Sequence, residues 1–257
     1  MNIQVGAGGV RLPDFLNVDV RKVEGVDIVG DAADLHTIAS GSVATVFGNA
    51  VFEHFFVGHH LAALREWKRL LAPDGAIIII GLPDFASIAD LYLKGAAGIV
   101  GDRFDLFNVY RYTHGEPEHA APPVWSKWRA TDSAAPDGWI PQLHKCIFDA
   151  VYVRDLLEEC GLAGTIFNYA YPGEEHALNL GFIATLDPLA GASADGLRKM
   201  LARVPDMGRF MNLESLAISI PRKPQDGLLP FARTLGSQRQ RTLTEKIGSR
   251  LSRLLGK

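Results

Sequence analysis

The chain has 257 residues, of which 47% are hydrophobic and 21% charged, and its formal net charge is −3. These values are typical of a globular enzyme with one large α/β domain and room for an insertion or a tail. The small negative charge argues against wholesale binding to nucleic acid. The longest aliphatic run, residues 76–80, is too short to span a bilayer. Two cysteines without metal-type spacing indicate a reducing compartment, so we expect a cytoplasmic protein.

Apolar segments of strand length alternate with helical patterns along the chain, which is typical of a parallel α/β sheet. Strands are predicted at residues 2–5, 16–18, 26–29, 44–47, 76–80, 164–169 and 178–184. Helices are predicted at residues 58–71, 85–93 and 150–160, with a single helical turn at 12–15. A hairpin-type connection before the last strand predicts that this strand runs antiparallel. The expected fold is therefore Rossmann-like: a seven-stranded, mostly parallel sheet with helices on both faces.

Two regions depart from the alternating pattern. Residues 95–145 are rich in Pro, Gly, His and aromatics without clear periodicity. We interpret them as an insertion that shapes a substrate pocket within a first domain of residues 1–186, although a surface excursion packed by its own aromatics would look similar. Residues 187–225 are expected to form a helical extension and linker. Residues 226–257 form a basic tail.

The strongest local signal lies at the start of the chain. Strand 2–5 leads directly into Gly6-Ala7-Gly8-Gly9, and the second strand ends on Asp19. Glycines let a cofactor lie against bare backbone, and a carboxylate accepts hydrogen bonds from the two hydroxyls of a ribose. A nicotinamide-binding fingerprint fits poorly, because Arg11 stands where a third glycine belongs and Asp19 comes too early for the ribose acid.

Later motifs make the pattern more specific. The chain resembles the class I S-adenosylmethionine-dependent methyltransferases, in particular the small type-11-like subgroup that begins at the first strand. The resemblance covers about residues 2–186 and rests on Asn17-Val18-Asp19, Gly30-Asp31-Ala32, Glu53-His54-Phe55, Ala72-Pro73-Asp74-Gly75 and His144-Lys145, besides the glycines. It implies S-adenosyl-L-methionine as the cofactor and methyl transfer as the activity. The acceptor it suggests is an oxygen of a small molecule or of a sugar in surface-polysaccharide synthesis.

The resemblance also implies roles for the glycine segment and the acid after it. Gly6, Ala7 and Gly8 would pass close to the methionine part of the cofactor, and Asp19 would accept from the ribose hydroxyls. Gln4 stands where the family often has an acidic residue, which weakens the expected hold on the cofactor's ammonium group.

Three further positions complete the implied cofactor site. Asp31 would accept from the adenine amino group, and the backbone N–H of Ala32 would face a ring nitrogen. Asn49, just after the fourth strand, would contact the amino-acid end or line the methyl-transfer channel. Asp31 is also a plausible cap of a short helix, because Asp is favoured there.

Candidates for acid–base chemistry follow from the position of ligands beyond the carboxyl ends of parallel strands. They are Asp84 after the fifth strand, His54 after the fourth, and His114 and His144 from the insertion. Asp84 and His144 are the preferred pair, and for each residue a structural role is the alternative. No metal-ligand spacing is evident among the histidines, so no metal is expected.

The basic tail favours a second kind of interaction. Leucines and one isoleucine fall on one helical face of residues 243–255, with Lys and Arg around them. Such a helix can lie on an anionic membrane surface, so peripheral contact with the inner membrane face is one hypothesis. Packing on the same domain or on a partner subunit, or a disordered tail, is the alternative. A different class of function is a non-catalytic adaptor that keeps the fold and binds a partner through the tail.

Overall fold

The computed structural model describes residues 1–94, 144–188 and 194–219, all of which belong to the compact unit Met1–Pro221. Its strands are β1 (Asn2–Val5), β2 (Phe15–Asp19), β3 (Ile28–Val29), β4 (Val43–Asn49), β5 (Leu71–Pro83), β6 (Ala163–Tyr169), β7 (Asn179–Thr185) and β8 (Ala217–Ile218). Its helices are α1 (His60–Leu70), α2 (Phe85–Leu93), α3 (Ala150–Glu159) and α4 (Ala194–Leu201). Most of the predicted insertion, and the basic tail, lie outside the described residues.

All of these strands join one sheet in the order β3-β2-β1-β4-β5-β7-β6-β8. Strands β1 to β5 run parallel to one another, whereas β7 is antiparallel to both β5 and β6. The predicted Rossmann-like fold, with its antiparallel last strand, is therefore confirmed. The eighth strand, β8, was not predicted. It has two exposed residues that pair with the edge of β6, and so short a segment carries no periodic pattern.

The predicted helical turn at residues 12–15 is wrong. Asp14 has φ +63°, and β2 begins at Phe15, which is already in register with Asn2 of β1. The chain therefore reverses through a tight turn at Pro13 and Asp14 rather than through a helix. Aspartate tolerates the left-handed conformation better than most residues do, which suits it to this position.

Helices cover both faces of the sheet. On one face, α1 and α3 pack through Leu64, Trp67 and Leu157 against alternate residues of the central strands. On the other face, α4 packs through Leu197 and Leu201. Each strand supplies both layers because successive side chains point to opposite faces.

The direction of strand order reverses between β1 and β4, which lie side by side at the centre of the sheet. The chain leaves β1 toward β2 and leaves β4 toward β5, so the connections diverge beyond the carboxyl ends of the two strands. Ligands of open α/β sheets bind in the crevice at such a switch point. The segments that follow β1 and β4 are therefore where a cofactor site is expected.

Candidate active site

The two glycines after β1 have different neighbours. Gly6 has φ +63° and Gly8 has φ +54°, a region that favours glycine. A Cβ on Gly6 would lie 2.3 Å from Cγ2 of Val51, so the segment after β4 presses directly on this glycine. A Cβ on Gly8 would meet, among the described residues, only the Arg21 guanidinium at 3.5 Å. Gly6 is therefore required for the close packing of Val51 against the segment after β1. The backbone of Gly8 is covered, among the described residues, only by the flexible side chain of Arg21.

Asp19 ends β2 and is 5% exposed. Its Oδ2 accepts a hydrogen bond from the backbone N–H of Gly8 at 2.8 Å, which ties the first two segments of the site together. Its Oδ1 accepts from the backbone N–H of Arg21 at 2.9 Å, and from Arg21 Nε at 3.1 Å. The backbone donors are fixed, whereas the guanidinium is not. A ligand hydroxyl would therefore reach this carboxylate in place of the guanidinium.

Asp31 and Ala32 lie on a turn after β3. Asp31 is exposed, and its Oδ1 accepts from the backbone N–H of Ala33 at 2.8 Å, so it stabilises a turn rather than capping a helix. The buried indole of Trp67 donates from Nε1 to the carbonyl oxygen of Ala32 at 2.8 Å. This hydrogen bond connects helix α1 to the turn. The second oxygen of Asp31 points to no donor among the described residues and is open to a ligand.

Helix α1 anchors the same segment a second time. Glu66 Oε1 accepts from the backbone N–H of Leu35 at 2.9 Å, and Arg69 donates to the carbonyl oxygen of Leu35 at 3.1 Å. The two side chains also pair with each other, and the Arg69 hydrogen bond lowers the pKa of Glu66. The position of the turn that carries Asp31 is therefore set by the helix, not by the turn alone.

Two buried acceptor atoms stand near the switch point. Gln4 Oε1 in β1 and Asn49 Oδ1 at the end of β4 have no hydrogen-bond donor among the described residues. Gln4 is in register with Phe47, so Asn49 lies two residues further toward the carboxyl edge on the neighbouring strand. A buried acceptor without a donor is unfavourable by about 1–3 kcal/mol. A ligand that brings an ammonium or hydroxyl group fits this pair.

Asp84 follows β5 and begins α2. Its Oδ2 accepts from the side chain and the backbone N–H of Ser87, and from Asn168 Nδ2 at 2.8 Å. Its side chain is buried, with 4% of the residue exposed. The arrangement is that of an N-cap tied to β6. Asp84 therefore has a structural role as the cap of α2. An acid–base role for Asp84 stays a prediction.

His54 and His144 come together around a buried carboxylate that we did not select from the sequence. Glu53 Oε1 lies 3.8 Å from Nε2 of His54 and 3.9 Å from Nε2 of His144. The two imidazole rings have their centroids 5.0 Å apart and stand nearly perpendicular. Burial raises the pKa of Glu53 to about 8, and the charge of Lys145 opposes this shift.

Lys145 links the two halves of the cluster. Its backbone N–H donates to the carbonyl oxygen of Glu53 at 2.8 Å, and its ammonium donates to the carbonyl oxygen of His54 at 2.9 Å. The pairing of the segment at 144–148 continues to a bridge between Phe148 and Asp84, at the carboxyl end of β5. The cluster therefore lies on the same edge of the sheet as the glycine segment. Partial burial lowers the pKa of Lys145.

Sequence reasoning missed Glu53, Arg21 and Lys145. Glu53 and His54 were part of the motif after β4, but their partner His144 follows an insertion whose path the sequence does not give. Arg21 lies two residues after Asp19, a spacing at which a side chain can fold back on a carboxylate. His114 lies outside the described residues, so its role stays a prediction.

With its glycine segment, acidic strand ends and switch point, the site defines a Rossmann-like nucleotide-binding protein. Residues 5–79 match the family described as Methyltransferase domain. This match confirms the resemblance to class I methyltransferases, and it implies S-adenosyl-L-methionine as the cofactor. No curated protein matches the sequence.

Solved structures with a similar fold include methyltransferases at low sequence identity. A possible histamine N-methyltransferase from Thermotoga maritima is 13% identical, with 72% of this chain and 82% of that chain covered and a TM-score of 0.42. A methyltransferase from Archaeoglobus fulgidus is 13% identical over 71% and 84% of the two chains, also with a TM-score of 0.42. The 1,6-didemethyltoxoflavin-N1-methyltransferase from Burkholderia thailandensis, with S-adenosylhomocysteine bound, is 12% identical over 71% and 68%, with a TM-score of 0.41.

Within the described residues, none of the helices is both long and apolar enough to cross a membrane.

Proposed function

We propose that the protein is an S-adenosylmethionine-dependent methyltransferase whose acceptor is an oxygen of a small molecule or sugar. The observation that carries the proposal is the Gly8–Asp19 hydrogen bond beside the β1/β4 switch point, where β4 ends at Asn49, within the segment that matches the methyltransferase family. The oxygen and sugar acceptors rest on the resemblance of the sequence motifs. Methyl transfer itself rests on the family match and on the fit of the site.

The residues present fit the cofactor. S-adenosylmethionine supplies an electrophilic methyl group on a sulfonium. Asp19 would hold the ribose hydroxyls once the Arg21 guanidinium moves aside, and Gly6, Ala7 and Gly8 would line the methionine part. The oxygens of Gln4 and Asn49 would accept from the ammonium group, which gives both buried atoms the donor they lack.

The adenine end would lie against the turn after β3. The open oxygen of Asp31 would accept from the exocyclic amino group, and the backbone N–H of Ala32 would face a ring nitrogen. Because Trp67 fixes the carbonyl of Ala32, the orientation of this peptide group is set before the cofactor arrives. A rigid recognition edge reduces the ordering cost of binding.

An oxygen acceptor needs a group that takes its proton. The candidates are Asp84, His54, His144 and His114. Of the three that the structure describes, Asp84 is held as a helix cap, and the two histidines lie beside Glu53 at the carboxyl edge of the sheet. His144 is the candidate that the geometry favours, because its side chain, 9% exposed, lies next to a carboxylate that can orient it.

Titration calorimetry with S-adenosylhomocysteine tests the cofactor assignment. We expect the wild-type chain to bind one equivalent, and Asp19→Ala to weaken binding by about 100-fold, as loss of two hydrogen bonds to a charged group does. Asp34→Ala is the matched control, because Asp34 is exposed and its side chain, among the described residues, hydrogen-bonds only with His36. Absence of binding to the wild-type chain would favour the non-catalytic adaptor instead.

The tail is tested separately. We propose that residues 226–257 bind an anionic membrane surface and bring the enzyme to lipid-linked acceptors. Co-sedimentation with anionic and neutral vesicles compares the full chain with a chain that ends at residue 225. Equal sedimentation of the two chains would contradict the membrane proposal without affecting the cofactor assignment.

A further inference from the structure

Glu53, His54 and His144 lie outside the cofactor site, and the two histidines, named above as candidate proton acceptors, would be ligands instead of bases if they bind a metal ion. One ligand atom from each residue lies within 4.8 Å of the others, and the three come from two segments that are far apart in the chain. His54 and His144 each approach the same oxygen of Glu53, at 3.8 and 3.9 Å. We propose that these three residues bind a divalent transition-metal ion of the Zn²⁺ type.

The buried carboxylate is the first argument for a cation. Glu53 is 1% exposed, and neither of its oxygens has a hydrogen-bond donor within the described part of the chain. A carboxylate out of water is unfavourable by several kcal/mol unless a cation or hydrogen-bond donors compensate it. A metal ion between Glu53 and the histidines provides that compensation directly.

The ligand types are the second argument. Two imidazoles and one carboxylate are a donor set that Zn²⁺ and similar first-row ions accept, and three protein ligands leave a position for water or another oxygen ligand. Mg²⁺ and Ca²⁺ prefer sites made of oxygen ligands, so they suit this cluster less well.

The distances require only a small contraction. Ligand atoms of a tetrahedral Zn²⁺ site stand about 3.3 Å apart, given metal–ligand distances of about 2.0–2.1 Å. The two separations from Glu53 Oε1 exceed this by about half an ångström, and the ligand atoms of all three residues lie within 4.8 Å of one another. Rotation of the imidazoles towards a shared ion would have to close these gaps. The rings lie nearly perpendicular, at 78°, so they can approach one ion without stacking on each other.

Lys145 is the group that opposes a cation here. Its ammonium is held by the carbonyl oxygen of His54 and lies 5.3 Å from the centre of the Phe56 ring. It therefore sits at the rim of the cluster and interacts electrostatically with Glu53. Lys145→Met removes this positive charge and should therefore strengthen metal binding, so the variant tests whether the bound ligand is a cation.

The experiment is zinc titration of the metal-free full-length protein, read by calorimetry, with Co²⁺ absorption as a spectroscopic reporter of the ligands. We expect one ion per chain. His54→Ala and His144→Ala should each weaken binding by at least about 100-fold, more than loss of an outer-shell partner costs. Glu53→Gln should weaken it and alter the Co²⁺ spectrum, whereas Lys145→Met should tighten it. His59→Ala, an exposed histidine of the neighbouring turn, should change nothing.

Binding of S-adenosylhomocysteine to the same variants separates this proposal from the proposed function. A variant that still binds S-adenosylhomocysteine is folded, so its loss of zinc reports the site alone. The metal proposal is overturned if the wild-type chain binds no stoichiometric zinc, or if zinc affinity is the same in His144→Ala. Failure of S-adenosylhomocysteine to bind the wild-type chain would instead contradict the methyltransferase assignment.

Discussion

Asp19 and Glu53 are both buried carboxylates at the carboxyl edge of one sheet, and they differ in what surrounds them. Asp19 accepts hydrogen bonds from the backbone of Gly8 and Arg21 and from the Arg21 guanidinium. Glu53 has two histidines near 3.8 Å and no hydrogen-bond donor among the described residues. The first carboxylate is already part of the folded framework. The second is buried without a hydrogen-bond donor among the described residues, and burial raises its pKa to about 8.

This difference has a physical consequence for each site. A carboxylate that organises backbone loops must stay ionised to keep its hydrogen bonds, and a ligand can replace only the movable guanidinium. A carboxylate without donors gains more from a cation than from a neutral ligand. The two proposals therefore assign a nucleoside to one carboxylate and a metal ion to the other.

Substitution by the isosteric amides should separate the two carboxylates most clearly. We expect Asp19→Asn to lower the free energy of unfolding by about 3 kcal/mol, because the amide loses charge-assisted bonds and turns a donor toward donors. In metal-free protein, Glu53→Gln should change it by less than about 1 kcal/mol, because burial raises the pKa of Glu53 to about 8 and the neutral amide resembles the protonated acid present at pH 7. Urea unfolding at pH 7 measures both. Equal losses would show that the two carboxylates are structurally equivalent.

The turn that carries Glu53 rests on a neutral histidine, which makes its stability depend on pH. His60 is fully buried between the Phe52 carbonyl oxygen and the Tyr152 hydroxyl, and burial lowers its pKa to about 4. The histidine stabilises the fold fully above pH 6.5. That contribution is lost as pH falls from 6.5 toward 4, since only the unfolded chain then binds the proton.

The measurement is the difference in free energy of unfolding between the wild-type chain and His60→Gln at several pH values. The stability advantage of the wild-type chain should shrink by about 1.4 kcal/mol per pH unit below 6.5, or about 2 kcal/mol at pH 5. The subtraction removes the contributions of other groups. His36→Gln, at an exposed position, should show a flat difference, and a flat difference for His60→Gln would contradict a neutral buried imidazole.

On the Asp19 side, helix α1 supports the turn that is proposed to face the adenine. Trp67→Phe removes the donor to the Ala32 carbonyl oxygen, and we expect a stability loss of about 2 kcal/mol together with a several-fold weaker affinity for S-adenosylhomocysteine. Leu64→Ala is the control on the same helix. It should lower stability at least as much while it leaves the hydrogen bond, and therefore the affinity, intact. Equal loss of affinity in both variants would mean that the affinity depends on overall stability and not on the hydrogen bond from Trp67.

The sequence predicts the sheet well because alternation and helical spacing are local properties. β1 and α2 begin and end where the patterns place them, and all seven predicted strands are present. The turn at Asp14 was not predicted. Its left-handed backbone depends on the register between β1 and β2, and this register is not a local property of the sequence. Leu71 likewise begins β5, so Leu70 and not Leu71 completes the buried face of α1.

The same distinction between local and non-local features applies to the candidate site. Gly8 and Asp19 are within eleven residues of each other, and their hydrogen bond joins segments whose strands pair directly. Glu53 and His144 are separated by ninety residues that include the insertion, so their approach depends on tertiary packing. The position of Arg21 over Gly8 depends on a rotamer, which the sequence does not specify.

The smallest effect concerns that rotamer. Arg21 is partly exposed and pairs with Asp19, an arrangement that contributes up to about 1 kcal/mol. Because a ribose bound as proposed would displace it, Arg21→Gln should raise the affinity for S-adenosylhomocysteine by up to about 5-fold and reduce the response of that affinity to salt. Arg11→Gln, which removes the same charge away from Asp19, should leave the affinity unchanged. A weaker affinity in Arg21→Gln would mean that the guanidinium stays in place and binds the cofactor, so that Asp19 acts on the ligand through Arg21 rather than directly.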